Sequence, residues 1–168
     1  MALDDAEIRR RLPALALIDD DRCRRATAAV SAQAPAYFWT VPASQSGRYH
    51  HPACRADRGL WAHTLLVAGV VAELAPSYRE QGLIAPEEAD FAIAAAIVHD
   101  QRKYGDGPEP NLDAHDGHDE RMATVVRASP LDDRIADAVA AHMGPWHEGP
   151  DPCRPLERLV HTADVIAS

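Results

Sequence analysis

Residues 91–103 read FAIAAAIVHDQRK, eight apolar residues that run without interruption into a histidine, an aspartate and, three positions on, a lysine. A helix that is apolar on every face is one buried by its neighbours, and this stretch predicts such a helix. Pro86 suits its first position, and Glu87 and Glu88 place acid in its first turn, so it spans about Pro86 to Val98. His99 and Asp100 then fall at the end of the most apolar element in the chain. An unpaired carboxylate there costs several kcal/mol unless charge or hydrogen bonds compensate it.

Working outward, residues 59–74, GLWAHTLLVAGVVAEL, predict a second buried helix, again with a histidine, His63, inside it. Three shorter helices follow the loop from Gly105 to Gly117: His118 to Arg127, Pro130 to Met143 with Ser129 as N-cap, and Pro155 to Ala167 with Pro155 at the first position. Before the central pair, one helix runs from Asp5 toward Leu17, and another starts at Asp19-Asp20-Asp21, whose carboxylates suit a helix N-terminus. Residues 34–58, APAYFWTVPASQSGRYHHPACRADR, hold three prolines among aromatic and polar residues and predict a structured loop long enough to wall a pocket. Strand signals are scarce, so the fold class is all-α, a helical bundle with its site in the core. At 168 residues this is a single structural domain, with residues 1–33 as helices packed on a core made by residues 34–168.

The chain carries 17 basic and 26 acidic residues for a net charge of −9, which withholds the electrostatic footprint of a long nucleic-acid groove or of a membrane-surface protein. A small anionic substrate at a local cationic centre stays open. Of the basic residues 16 are Arg, and the single lysine is Lys103. Cys23, Cys54 and Cys153 are odd in number and show no metal-knuckle spacing, so they read as reduced thiols. The acidic N-terminus lacks the basic region of a signal peptide, and the expected location is the cytoplasm.

Polar residues fall repeatedly where the helical stripes call for apolar ones. His63 lies with Leu60, Val67, Val70, Val71 and Leu74; His118 heads Met122, Val125 and Val126; His142 continues Ile135, Ala138 and Val139; Asp164 extends Leu156, Leu159, Val160 and Ala163. Each alone reads as a hydrogen-bonded core residue. Together with His99-Asp100 they are five inward sites converging on one core, and a divalent cation is the partner that imidazole nitrogens and carboxylate oxygens can share.

In these residues the chain resembles the HD-domain metal-dependent phosphohydrolases: His63, His99-Asp100 and Asp164 follow the H…HD…D pattern, and Gln101-Arg102-Lys103 completes HD-x-x-K. The similarity runs from about Phe38 to Asp164, through PAS (42–44), YHH (49–51), GLWAHT (59–64), GH (117–118), AHMG (141–144) and HTAD (161–164), and is nearest to the HD domain of YhaM-type 3′→5′ exoribonucleases and to small archaeal and phage HD proteins. The resemblance implies an all-α HD fold in which His63, His99, Asp100 and Asp164 hold a first metal. It implies His118 and His142 as ligands of a second ion, against the reading that they hydrogen-bond a substrate phosphate or each other's helices. Met143 departs from the double-histidine form of that motif, and His115 and Asp116 are rival ligands to His118. The chain has no counterpart of the N-terminal nucleic-acid domain of YhaM-type enzymes, so a nucleotide or short oligonucleotide is the expected substrate.

The activity this implies is hydrolysis of a phosphate ester, monoester or diester, through a metal-activated water, with Mn, Fe, Co, Ni or Zn in one or two copies. Asp100 would orient or deprotonate that water, and Lys103, three residues on, would neutralise the phosphoryl group. His50, His51, Arg58 and Arg55 are expected against substrate phosphate, and Tyr49, Trp61 or Trp146 against a base, while packing is the plainer role of the aromatics. His147 and His161 have weaker claims, the latter as an outer partner of the metal ligands. Two other classes stay open: a nucleotide-binding or interaction module without turnover, and a two-iron HD-type oxygenase. A homo-oligomer that covers the last helix is a further expectation.

Overall fold

The computed structural model describes residues 3–44, 50–146 and 149–168, all helix, turn and loop, with no strand among them. Seven α-helices follow in order: α1 (Asp5–Arg11), α2 (Asp21–Ser31), α3 (Gly59–Glu80), α4 (Pro86–Val98), α5 (His118–Arg127), α6 (Asp133–Ala140) and α7 (Pro155–Ala167).

The centre is α4, and its sequence explains why. Ala92 to Val98 are seven consecutive buried residues, four of them alanines, so the backbone offers a thin profile that α2, α3, α6 and α7 all reach. Its start is held by Pro86 and by Glu88, whose carboxylate accepts from the Ala85 N–H at 2.8 Å. The other long helix, α3, lies against α4 and α7. By length and hydropathy its 22 residues could cross a bilayer, but the face bearing Leu60, His63, Thr64, Val67, Ala68 and Val71 is buried in this bundle. The N-terminal helices join the same core through Ile8, Leu12, Leu15, Ile18 and Val30.

Four boundaries differ from the sequence reading. The first expected helix is two pieces, because Pro13 interrupts the hydrogen-bond ladder after Arg11 and a tighter 3₁₀ segment, Pro13–Leu17, takes over. Helix α3 continues past Leu74 through Pro76, which faces solvent. Helix α6 is capped not by Ser129 but by Asp132, whose Oδ1 accepts from the Arg134 N–H at 3.0 Å. Ser129 instead closes the end of α5, donating to the Val126 carbonyl at 2.7 Å. At its other end α6 stops at Ala140, so His142 sits in a turn. By contrast α4, α5 and α7 have the limits their sequences suggest, since a proline or a glycine punctuates each start.

Candidate metal centre

Five elements deliver side chains to one buried point. His63 comes from the second turn of α3, His99 and Asp100 from the C-terminal end of α4, His118 from the first residue of α5, His142 from the turn after α6, and Asp164 from the last turns of α7. Apart from Asp164, whose side chain is 15% exposed, all are buried to 2% or less. The six expected metal ligands are therefore brought together.

Asp164 Oδ1 lies 2.9 Å from His63 Nε2 and 3.9 Å from His99 Nε2. Asp100 Oδ1 lies 3.1 Å from His118 Nε2 and 3.6 Å from His142 Nε2, while its Oδ2 accepts from the Lys103 ammonium at 2.7 Å. The rings follow one another edge to face, with centroids 5.5 Å apart from His63 to His99, 4.9 Å from His99 to His142 and 5.2 Å from His142 to His118.

The hydrogen bonds on the far side of these rings decide what the near side offers. Nδ1 of His99 donates to the Ala96 carbonyl at 2.8 Å, that of His118 to the His115 carbonyl at 2.8 Å, and that of His142 to the Val139 carbonyl at 2.6 Å. A neutral imidazole with its proton on Nδ1 presents a lone pair at Nε2. Three such lone pairs thus face two carboxylates, and the His118 and His142 Nε2 atoms are only 3.3 Å apart. His99 Nε2 and Asp100 Oδ1 are buried without a hydrogen-bond partner. An arrangement of converging acceptors with orphaned members can hold a cation at its centre. Ligand atoms of His63, His99 and Asp164 lie within 4.8 Å of one another, as do those of His99, Asp100 and His142. A divalent ion fits either group.

The electrostatics agree with this geometry. Burial works against the charge of Asp100, but the Lys103 ammonium beside it holds its carboxyl well below the usual range. Burial likewise opposes the Lys103 ammonium, and Asp100 holds it protonated. Burial pushes His99 down to about 4, keeping it neutral. For His63 burial is outweighed by Asp164 and the Cys54 thiol, and its pKa rises to about 9.

These shifts set the pH dependence of the metal-free protein. His63 keeps its proton in the fold and loses it near pH 6.5 when unfolded, so its contribution is complete below about pH 6.5 and is lost as pH rises through about 9. His99 and His50, the latter also pushed to about 4 by burial and by Lys103, stay neutral in the fold while their unfolded forms charge. Stability therefore also falls as pH drops from about 6.5 to 4. Urea unfolding in chelator at pH 5, 7 and 9.5 is expected to be most resistant at pH 7, and equal midpoints at the three would contradict the arrangement.

Of the expected substrate contacts, His50 is brought to the site: its ring stands 5.0 Å from that of His63. Arg55 pins this segment, its Nε donating to the His50 carbonyl at 2.8 Å. His51 is exposed, and its Nδ1 accepts from the Ala53 N–H at 3.2 Å. Arg58 is engaged elsewhere, its guanidinium 4.4 Å over the Trp61 ring, and Trp61 in turn donates to the Arg11 carbonyl at 2.7 Å. Tyr49, His147 and the side chain of Trp146 lie outside the described residues. Between the rivals, His118 is the one facing Asp100, while His115 places its carbonyl behind His118 and its Nδ1 3.7 Å from Asp116 at the surface.

Three further groups support the centre, and of these only His161 has a claim in the sequence. Gln101 is buried and donates to the Ser31 hydroxyl at 2.9 Å and to the Ile97 carbonyl at 3.0 Å, tying α2 to the end of α4. His161, expected only as an outer partner, has its Nδ1 2.7 Å from the His142 carbonyl, so α7 holds the turn that carries His142. Gly144 lets that ring approach: a Cβ there would stand 2.7 Å from His161 Cε1, at a backbone φ of +55°. The third is Cys54, fully buried at the near end of α3.

A family model, the HD domain, matches residues 60–168. No curated protein and no solved structure matches the chain.

Proposed function

This chain belongs to the HD-domain family, and from that premise we propose that it is a metal-dependent phosphohydrolase cleaving a phosphate ester of a nucleotide or short oligonucleotide. The observation that carries the reading is the pair of orphaned acceptors, His99 Nε2 and Asp100 Oδ1, inside a ring of lone pairs and carboxylates. His63, His99, Asp100 and Asp164 are the ligands of a first ion, and Asp100, His118 and His142 supply donors for a second. A divalent ion so held supplies Lewis acidity toward phosphoryl oxygens and a lowered pKa for bound water.

The protein's own groups do the rest. Asp100, kept ionised by Lys103, accepts a proton or a hydrogen bond from the attacking water. Lys103 spends one N–H on Asp100 and has others for a phosphoryl oxygen. His50, neutral at pH 7 and half-buried beside His63, donates a hydrogen bond to the substrate at the mouth of the site. The net charge of −9 favours a small substrate over a long nucleic acid. The YHH and GLWAHT motifs support kinship with the YhaM-type HD domain, and the three thiols a reducing cytoplasm.

Elemental analysis of protein purified without chelator, together with melting curves in Mn²⁺, Fe²⁺, Co²⁺, Ni²⁺ and Zn²⁺, tests the reading. Retention of one or two ions is expected. An ion present at 100 times its Kd adds about 2.7 kcal/mol, so the melting temperature is expected to rise by several degrees. Hydrolysis of a panel of nucleotides and dinucleotides by the loaded protein completes the test. No ion and no thermal shift would sink the reading. Two irons with oxygen consumption and no hydrolysis would replace it with oxygenase chemistry.

A further inference from the structure

Lys103 is the only lysine of the chain, and it lies beyond the end of α4 at Val98, in a run of turns. Its side chain is anchored at the tip, where the ammonium donates to Asp100 Oδ2 at 2.7 Å. Where that side chain begins is set by the backbone on either side of it. Before it, the Arg102 carbonyl accepts from Arg121 Nη1 at 3.3 Å. After it, the Tyr104 N–H donates to the Tyr37 hydroxyl at 3.0 Å, and the same hydroxyl donates to the Gly105 carbonyl at 2.7 Å. One phenol thus spends a donor and an acceptor on the two residues that follow Lys103.

The hydroxyl is itself a fixed point. Tyr37 is 2% exposed and packs with Phe38, Leu60 and Tyr104 in a small apolar cluster apart from the main core. Its N–H donates to the Pro108 carbonyl at 3.1 Å, and its carbonyl accepts from the Thr40 and Val41 N–H groups at 2.9 and 3.0 Å. Burial pushes the phenol up to about 12, so it keeps the proton that the Gly105 bond requires. Gly105 has a φ of +96°, a conformation that glycine adopts without strain, and this turns its carbonyl to the phenol. Tyr104 returns the contact, its hydroxyl donating to the Ala43 carbonyl at 3.2 Å. Two buried tyrosines therefore stitch residues 37–43 to the turn after Lys103. Tyr37 also lies outside the stretch matched by the HD-domain model, which begins at residue 60.

We infer that Tyr37 is a positioning residue for Lys103: by holding the Tyr104 N–H and the Gly105 carbonyl, its hydroxyl fixes the turn from which the ammonium reaches Asp100. Its effect on activity rests on the reading of Lys103 as the group that neutralises a phosphoryl oxygen. A displacement of about 1 Å in a group that meets the reacting phosphoryl can cost about 100-fold in rate, so this turn gives a distant hydroxyl leverage over the reaction.

The test compares Tyr37→Phe, which keeps the ring and removes the hydroxyl, with Thr27→Val, which removes another buried hydroxyl, bonded at 2.8 Å to the Cys23 carbonyl inside α2. With a single lysine in the chain, labelling with ¹⁵N-lysine leaves one side-chain signal, that of the Lys103 ammonium. On each full-length protein this signal and the exchange of the Tyr104 amide are followed by NMR without metal, and the hydrolysis of p-nitrophenyl phosphate and of its bis-ester is followed in Mn²⁺. Tyr37→Phe is expected to shift the Lys103 signal and to speed Tyr104 exchange by about 10-fold or more. It is expected to lower kcat by about 10-fold with KM within about threefold. Thr27→Val is expected to melt earlier and to move none of these, because global stability does not alter the folded-state position of Lys103. A Tyr37→Phe variant that only melts earlier, with the Lys103 signal in place, would overturn the inference by making Tyr37 a packing residue. So would a Tyr104 amide that exchanges freely in the unsubstituted protein, or a Tyr37→Phe chain that does not fold where Thr27→Val does. If the unsubstituted protein hydrolyses neither ester, the phosphohydrolase reading fails by itself, and the Lys103 and Tyr104 signals still decide whether Tyr37 holds the lysine.

Discussion

Alanine at Asp100 is expected to abolish metal retention and, with it, any phosphoesterase activity. One carboxylate serves three partners here: Oδ1 faces His118 and His142, and Oδ2 takes the Lys103 ammonium. Loss of an outer partner of a metal ligand typically costs 10–100-fold in affinity, and removal of a ligand between two histidine groups should exceed about 100-fold. The fold suffers as well. Lys103 is 5% exposed, and Asp100→Ala leaves its ammonium buried without the carboxylate that keeps it charged. Breaking a buried ion pair from one side costs about 3–5 kcal/mol. The double variant Asp100→Leu/Lys103→Met separates the two effects, since replacing both charges by apolar groups is often neutral or stabilising. It is expected to recover the melting temperature and still bind no metal. A single Asp100→Ala variant that kept its full metal content would place the centre elsewhere.

Gly59→Ala is expected to be the most damaging change of a single methyl group. The added carbon would stand 2.0 Å from the Cys54 oxygen, 2.5 Å from its carbonyl carbon and 2.9 Å from the Ala43 nitrogen. All three are backbone atoms joined by the Ala43 to Cys54 hydrogen bond, so no side chain can rotate away. The loop must lift off α3, at a cost of about 3 kcal/mol and a fall of roughly 6–12 °C in melting temperature. Gly69 is the internal control: it lies in the same helix with nothing within 4 Å of its Cβ position. Gly69→Ala should stabilise by up to about 1 kcal/mol through helix propensity alone. Similar melting temperatures for the two variants would show that the loop does not sit on the helix as described.

Much of the centre could be read from residue types and spacing. A histidine on the stripe of α3, another pair at the end of an eight-residue apolar run, and an aspartate in step with Leu156, Leu159, Val160 and Ala163 each break a local rule in the same direction. Helical periodicity assigns a residue to a face whatever the rest of the chain does, so inward polar positions are legible one helix at a time. The helix starts at Pro86, His118 and Pro155 were equally legible, because proline and glycine act on their own backbone.

Periodicity does not say which inward faces meet, and here the tertiary structure alone decided. Lys103 sits where its spacing from Asp100 suggests, yet it is buried against that carboxylate, and only packing could remove it from solvent. His115 is a rival to His118 in sequence, and the fold separates them by turning His118 toward Asp100 and using the His115 carbonyl as its support. The seat of the Cys54 loop carried no signal at all: its backbone lies on the first turn of α3 only because that turn begins with a glycine. The sequence by itself determined an all-helical chain with its chemistry turned inward, since those properties follow from local period and local backbone limits. Which ligands face one another is a matter of contacts between distant segments, set by how the whole core closes.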